Sequence, residues 1–184
     1  MYGPKVDLSF NDITNASGAL LVVPRNGQRP LKTNSQGKYL SRSLCLSNNS
    51  ISNLAGLEHI WEHFLARPWN IGWLDLSFNQ ITSIDPVVCE LHELRVLYLH
   101  GNGIWELSEV DKLRELQYLH NITLHGNAIA GNNKYRKHVI STLPQLKMMD
   151  FSSVTRDERV LANVCRDWSG RGKAEKPPAT AGSS

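Results

Sequence analysis

A single spacing pattern, L-x-x-L-x-L-x-x-N-x-L, recurs along this chain and leaves it few ways to fold. Between Ile71 and Ile104 it occurs twice. The first copy is Ile71, Leu74, Leu76, Asn79 and Ile81, and the second is Leu94, Leu97, Leu99, Asn102 and Ile104. Their asparagines stand 23 residues apart. An earlier copy runs through Leu44, Leu46, Asn49, Ile51 and Leu54, with Ser41 where a leucine is expected. A later one runs through Leu119, Ile122, Leu124, Asn127 and Ile129. A unit of this length cannot bury its apolar face alone. Stacked on neighbours it builds a continuous core, so the pattern predicts a solenoid.

Within each copy, x-L-x-L-x sends alternate side chains to opposite faces of a short strand. The leucines point inward and the residues between them face out. Stacking makes the strands parallel, about 4.8 Å apart. The asparagine follows each strand in a turn, where its amide can satisfy backbone groups left unpaired inside the solenoid. Asn49, Asn79, Asn102 and Asn127 are therefore expected to form a structural ladder. The outward positions are Ser43, Cys45 and Ser47, then Trp73, Asp75 and Ser77, then Val96, Tyr98 and His100, then Asn121, Thr123 and His125. Large aromatics on an exposed strand face are common interaction anchors. The candidate protein-binding set is Trp73, Asp75, Val96, Tyr98, His100, Thr123 and His125.

Outside the copies the pattern is looser. Val6, Leu8, Asn11 and Ile13 repeat half of it, in wording close to DLSFNQI at 75–81, and suggest a divergent first repeat or a cap. Residues 24–42 break the periodicity with two Pro, two Gly, five basic residues (Arg25, Arg29, Lys32, Lys38, Arg42) and no acid. This reads as a basic arm, pinned by Leu31, Tyr39 and Leu40. Leu57, Ile60, Trp61, Phe64 and Leu65 have helical spacing, which predicts a helix over 55–66. Asp85-Pro86 reads as a helix start, and Ser108 as the cap of a helix containing Val110, Leu113 and Leu116. Val139, Ile140 and Leu143 form another helical face, followed by a ledge at Leu146 and Met149. Thr155 and Glu158 have capping-box spacing. They open a terminal helix whose Leu161, Val164 and Trp168 are expected to fold over the last repeat.

Charge is unevenly spread. Residues 1–42 carry net +4, residues 43–165 net −3 and residues 166–184 net +2. Basic ends flanking a mildly acidic middle favour an acidic partner surface or solvated loops. Cys45, Cys89 and Cys165 lack close spacing and are read as reduced thiols. No apolar run approaches the roughly 18 residues of a membrane span. The first residues lack a signal-like apolar stretch, so an intracellular protein is expected. His100 and His125 hold equivalent places in two LHGN motifs, but no third metal ligand stands in register. Ser77, His100 and Asp75 can be drawn as a triad, yet nothing supplies a nucleophile elbow or an oxyanion hole. No phosphate-binding or dinucleotide motif occurs. The expectation is no enzyme, no cofactor, no small-molecule substrate, no direct nucleic-acid contact and no membrane.

With these segments placed, the chain resembles the intracellular leucine-rich-repeat family that includes a phosphatase-one regulator, the axonemal dynein light chain one and the spliceosomal U2A-prime protein. Its short isoleucine-rich repeats carry the resemblance. So does YRKHVISTLPQLKMMD, which is similar to that group's C-terminal cap at Tyr135, Arg136, Val139, Leu143, Pro144, Leu146 and Asp150. PRNGQRPLK, WLDLSFNQITSIDPV, LRVLYLHGN and ITLHGN narrow it to small family members found in organisms with motile cilia. The resemblance implies an α/β leucine-rich-repeat solenoid, a right-handed curved superhelix with parallel strands on its concave face and helices or turns on its convex face. Its expected parts are a cap and basic arm at 1–42, repeats at 43–133, a C-terminal cap at 134–168 and a flexible tail at 169–184. It also implies a protein-interaction scaffold of the cytoplasm and the ciliary or flagellar axoneme, with microtubule-associated partners. A phosphatase-regulatory subunit and a ribonucleoprotein scaffold are the alternatives.

Overall fold

Seven short strands, stacked in chain order, form the spine of the computed structural model, which describes residues 2–171. They are β1 (Val6–Asp7), β2 (Ser43–Cys45), β3 (Trp73–Asp75), β4 (Val96–Tyr98), β5 (Asn121–Thr123), β6 (Met148–Met149) and β7 (Ser152–Ser153). β1 to β6 run parallel, and β7 turns back antiparallel to β6. Leu44, Leu74, Leu97 and Ile122 are register partners down the stack. All four are buried, together with Leu46, Leu76, Leu99 and Leu124. This is the leucine-rich-repeat solenoid that the spacing predicts.

The asparagine ladder is present and bridges successive turns. Asn79 accepts a hydrogen bond from the Ile51 N–H (3.0 Å). Its amide nitrogen donates to the carbonyls of Leu46 (2.9 Å) and Leu76 (3.1 Å). Asn102 repeats this with Ile81, Leu76 and Leu99, and Asn127 with Ile104, Leu99 and Leu124. Asn49 bonds back to Leu8, Asn11 and Ile13. The N-terminal VDLSFNDI is thus a shortened first repeat, with Val6 in register with Leu44. Its outer edge accepts two bonds from Arg25 of the arm, from the N–H to the Asp7 carbonyl (2.8 Å) and from the guanidinium to the Ser9 carbonyl (3.5 Å).

The arm itself docks through Tyr39, whose N–H donates to the Phe64 carbonyl (2.7 Å) and whose carbonyl accepts from Ala66 (2.9 Å). Leu31 and Tyr39 pack on the core, but Leu40 is exposed. Neighbours in an extended segment point opposite ways, and Tyr39 takes the inward side.

On the convex side, the helix expected over 55–66 is α2 (Leu57–Phe64), with Leu57, Ile60, Trp61 and Phe64 buried. It follows the short α1 (Ala16–Ala19) of the first repeat. Asp85 caps α3 (Pro86–Cys89), its carboxylate accepting from Val87 N–H. The segment expected to start at Ser108 is a 3-10 helix, Leu107–Glu115, capped at Glu106, and the Ser108 hydroxyl donates to Glu106. Val110 and Leu113 still face inward.

The C-terminal cap contains α4 (Tyr135–Thr142) and α5 (Arg156–Arg171). Thr155 and Glu158 form the expected reciprocal box (2.8 and 3.2 Å). However, Leu161 and Val164 are exposed, while Val154 and Ala162 are buried. Glu158 pairs with Arg136, and Arg159 donates to the Pro144 and Leu146 carbonyls. Those bonds turn the 158/159/162 face toward the domain, as helical spacing requires, and leave Leu161 outward. The side chains of Cys165 and Trp168 lie outside the described residues, as does the chain from 172 on. Residues 169–171, expected as tail, continue α5.

Candidate functional site

The residues between the leucines gather into one aromatic patch. Trp73 on β3 meets Tyr98 on β4 edge to face, with centroids 5.7 Å apart. His100 stacks on His125 at 4.7 Å, the rings nearly parallel. One strand step sets this spacing, because both histidines follow their strands at equivalent positions.

Phe151, which sequence reasoning missed, completes the patch. Its ring lies 5.6 Å from Tyr98, 5.8 Å from His100 and 5.6 Å from His125. It reaches them from the two-residue turn Asp150-Phe151 between β6 and β7. Both residues have positive φ, 49° and 60°, as the tight type I′ hairpin requires.

Of the expected binding residues, Trp73, Asp75, Tyr98 and His125 keep accessible surface. Val96, His100 and Thr123 are buried and act as supports. Val96 lies in register between Trp73 and Asn121. The Thr123 hydroxyl is 2.7 Å from His100 Nδ1. Burial, helped by neighbouring His125, lowers the His100 pKa and keeps its ring neutral at pH 7.

His125 Nδ1 faces Asp150 (3.2 Å), so each imidazole has one nitrogen engaged within the fold. Among the described residues, no three His, Cys, Asp or Glu side chains converge on a metal position. The drawn triad does not assemble. The Ser77 hydroxyl donates to Asp75 Oδ1 (2.6 Å) instead of to His100. Burial pushes the Cys45 and Cys89 thiols above their usual pKa, which disfavours the reactive thiolate.

Two further exposed phenylalanines border the sheet. The residue just before each ladder asparagine needs positive φ, because the chain turns there out of the strand. Asn48 (55°), Gly101 (68°) and Gly126 (72°) suit it, yet Phe10 (57°) and Phe78 (52°) occupy the same place. A left-handed conformation costs a non-glycine residue about 1–2 kcal/mol. Phe10 is 65% exposed, Phe78 53% and Phe151 59%, so burial offsets little of that strain. The Phe78 ring lies against His100 (4.9 Å) and over Gly101, where a Cβ would come within 2.6 Å of it. Strain of this kind concentrates at functional sites. Phe78→Asn, which copies Asn48, should leave unfolding free energy within about 1 kcal/mol of wild type. Truncating a core phenylalanine costs about 3–5 kcal/mol, and a urea melt showing such a loss would make the ring a structural one.

The basic arm does not present one patch. Arg25 sits 5.5 Å above the Phe10 ring, Lys38 donates to the Glu62 carbonyl (2.7 Å), and Arg42 binds the Asn70 carbonyl (2.6 Å) and Glu93 (3.3 Å). Three of the five charges hold the arm to the domain, while Arg29 and Lys32 are exposed.

A stack of parallel strands with an asparagine ladder and an aromatic open face defines a leucine-rich-repeat protein. A leucine-rich-repeat family model matches residues 40–175, and the chain belongs to that family. Within it, the chain is similar to leucine-rich repeat-containing protein 51 of Bos taurus, with 44% identity over 161 residues, 88% of this chain and 84% of the relative. The Homo sapiens protein of that name matches to the same extent. Leucine-rich repeat-containing protein 23 of Homo sapiens is 29% identical over 132 residues, 72% of this chain and 36% of the relative. Among solved structures, one chain of the Drosophila melanogaster SNF/U2A' complex superposes with a TM-score of 0.62, at 21% identity and over 93% of this chain and 91% of that one. That likeness concerns the fold alone. Among the described residues, no helix is long and apolar enough to cross a membrane.

Proposed function

We propose that this chain is a non-enzymatic scaffold that grips a segment of another protein on its concave face. The observation that carries this reading is the patch of Trp73, Tyr98, Phe151 and His125 on a rigid sheet. Rigid, half-exposed aromatics lose little entropy on binding and dominate interface energetics. We further propose that it works in the axoneme of motile cilia or flagella, with doublet microtubules or an axonemal complex. Support for that location is the resemblance of its arm, repeats and cap to family members of organisms with motile cilia.

Affinity purification of the tagged full chain from ciliated cells, with imaging of the same tag, tests both parts. Axonemal proteins and a ciliary signal are expected. Recovery of phosphatase or splicing factors without that signal would overturn the location. Trp73→Ala combined with Tyr98→Ala should weaken partner capture by about tenfold or more while the melting curve stays cooperative. Undiminished capture would remove the concave face as the site.

A further inference from the structure

We propose that the corner formed by Trp73, Tyr98 and Asp75 receives a lysine or arginine side chain from an extended partner segment. The proposal rests on the concave face being the interaction surface and specifies what that face selects.

Trp73 and Asp75 flank buried Leu74 on β3 and therefore share the outward face. Asp75 is the register partner of Tyr98 on β4, about 4.8 Å across the sheet. The Trp73 and Tyr98 rings stand at 81° to each other, so their faces form two walls of a corner with the carboxylate beside it. Ring faces attract cations electrostatically, and a carboxylate nearby adds to that attraction.

Asp75 has capacity to spare. Its Oδ1 accepts from the Ser77 N–H (2.9 Å) and hydroxyl (2.6 Å). The Oδ2 bond in the fold comes from the Cys45 thiol at 3.8 Å, a weak donor. At the first repeat the same D-L-S turn is already neutralised. There Ser9 binds Asp7 Oδ1, and Lys5 pairs with its Oδ2 (3.0 Å). No lysine or arginine occupies an outward strand position of β2 to β5. His100 is held neutral, and the Arg42 head is bound to Asn70 and Glu93. Lys5 is paired with Asp7 and feels Asp75 only through a weaker Coulombic attraction. Among the described residues no cation therefore contacts this carboxylate, and the corner's two ring faces and its carboxylate complement a cation.

The same geometry specifies a neighbour for that cation. An extended segment puts its next same-side residue about 7 Å along, within reach of the exposed Phe151 ring, 5.6 Å beyond Tyr98. The motif the face prefers is a cationic residue, any residue, then an apolar one.

The test is selection of a random linear peptide display library on the full chain, followed by affinity measurements on the selected peptides. Lysine or arginine, with an apolar residue two positions away, should be enriched. Replacing the cation by glutamine should weaken binding by about tenfold, and Asp75→Asn should weaken it similarly. The two changes combined should cost little more than either alone. Lysine→glutamate in the peptide tests the charge without altering the protein, and should abolish binding. Peptides that need Trp73 and Tyr98 but show no cation preference, or are unmoved by Asp75→Asn, would overturn this inference and leave the concave-face reading intact. Peptides indifferent to Trp73→Ala with Tyr98→Ala, or no selected peptides at all, would overturn both.

Discussion

Asn79→Ala is expected to destabilise the fold by about 3 kcal/mol, because one buried amide bridges two successive turns of the solenoid through four backbone groups. Its oxygen takes the Ile51 N–H, and its nitrogen serves the carbonyls of Leu46, Leu76 and Ser77. Removing it strands polar groups where the wall is packed by Leu46, Ile51, Leu76 and Ile81, all essentially inaccessible. Each unsatisfied group costs about 1–3 kcal/mol, and partial relaxation keeps the total below the sum. Urea denaturation should show the midpoint falling with an unchanged slope, the mark of lost stability without a changed unfolded state. Asn79→Asp separates the two halves of the amide. It keeps an acceptor for Ile51 but sets a carboxylate against the Leu46 and Leu76 carbonyls, so it should be at least as damaging. A midpoint unmoved in both variants would mean that the ladder is not what holds the repeats together.

The ladder and the leucines were legible because their logic is local and repeated. A two-residue strand period and a recurring asparagine specify inward side, stacking and register in every copy. The outward set followed from the same parity, which is how Trp73, Asp75, Tyr98 and His125 could be named. Parity says which side a residue faces, but not what covers it. Val96, His100 and Thr123 face the right way and are buried by their neighbours.

Phe151 was missed for a related reason. It belongs to a turn after the last parallel strand, and only closure of that hairpin carries its ring back to Tyr98 on β4. Phe78 left a trace in the sequence, since LSFN puts phenylalanine where both LHGN motifs have glycine. Comparing repeats position by position would have exposed it. The rotation of α5 had no such trace. Its apolar stripe suggested Leu161 and Val164 inward, whereas Arg136 and Arg159, reaching across the cap, impose another face.

Asp150→Ala should cost about 3 kcal/mol, and it should also reshape the acid limb of the stability curve. Along the sheet, the N–H of Leu46 bonds to the carbonyl of Asp75, that of Leu76 to Tyr98 and that of Leu99 to Thr123, each in the next strand. At the last full repeat, Asp150 Oδ1 takes over this role. It accepts from Leu124 N–H (2.7 Å) and His125 N–H (3.0 Å), while Oδ2 accepts from the Tyr135 hydroxyl (2.8 Å). The carboxylate substitutes for the main chain of a further repeat, and its loss leaves the Leu124 and His125 N–H groups, the Tyr135 hydroxyl and the His125 imidazole without this acceptor. Burial alone would raise the Asp150 pKa, but the bonds from Leu124, Tyr135 and His125 outweigh it and hold the pKa below the usual value.

A folded-state pKa lower than the unfolded one gives stability that is present above the unfolded value, about 3.9. That stability disappears as pH falls through the folded value. The wild-type chain should therefore weaken below about pH 4. Asp150→Asn, which retains one acceptor and cannot ionise, should start less stable at neutral pH and fall less steeply in acid. Some acid sensitivity must persist, because Arg136 holds Glu158 down to about 2, and that pair ties α5 to α4 over the same pH range. Thermal melts of wild type and variant between neutral pH and pH 2 measure the difference. Parallel curves would mean that the carboxylate contributes geometry but no charge-dependent stability, and the hydrogen bonds it receives would then have to be no stronger than those of a neutral amide.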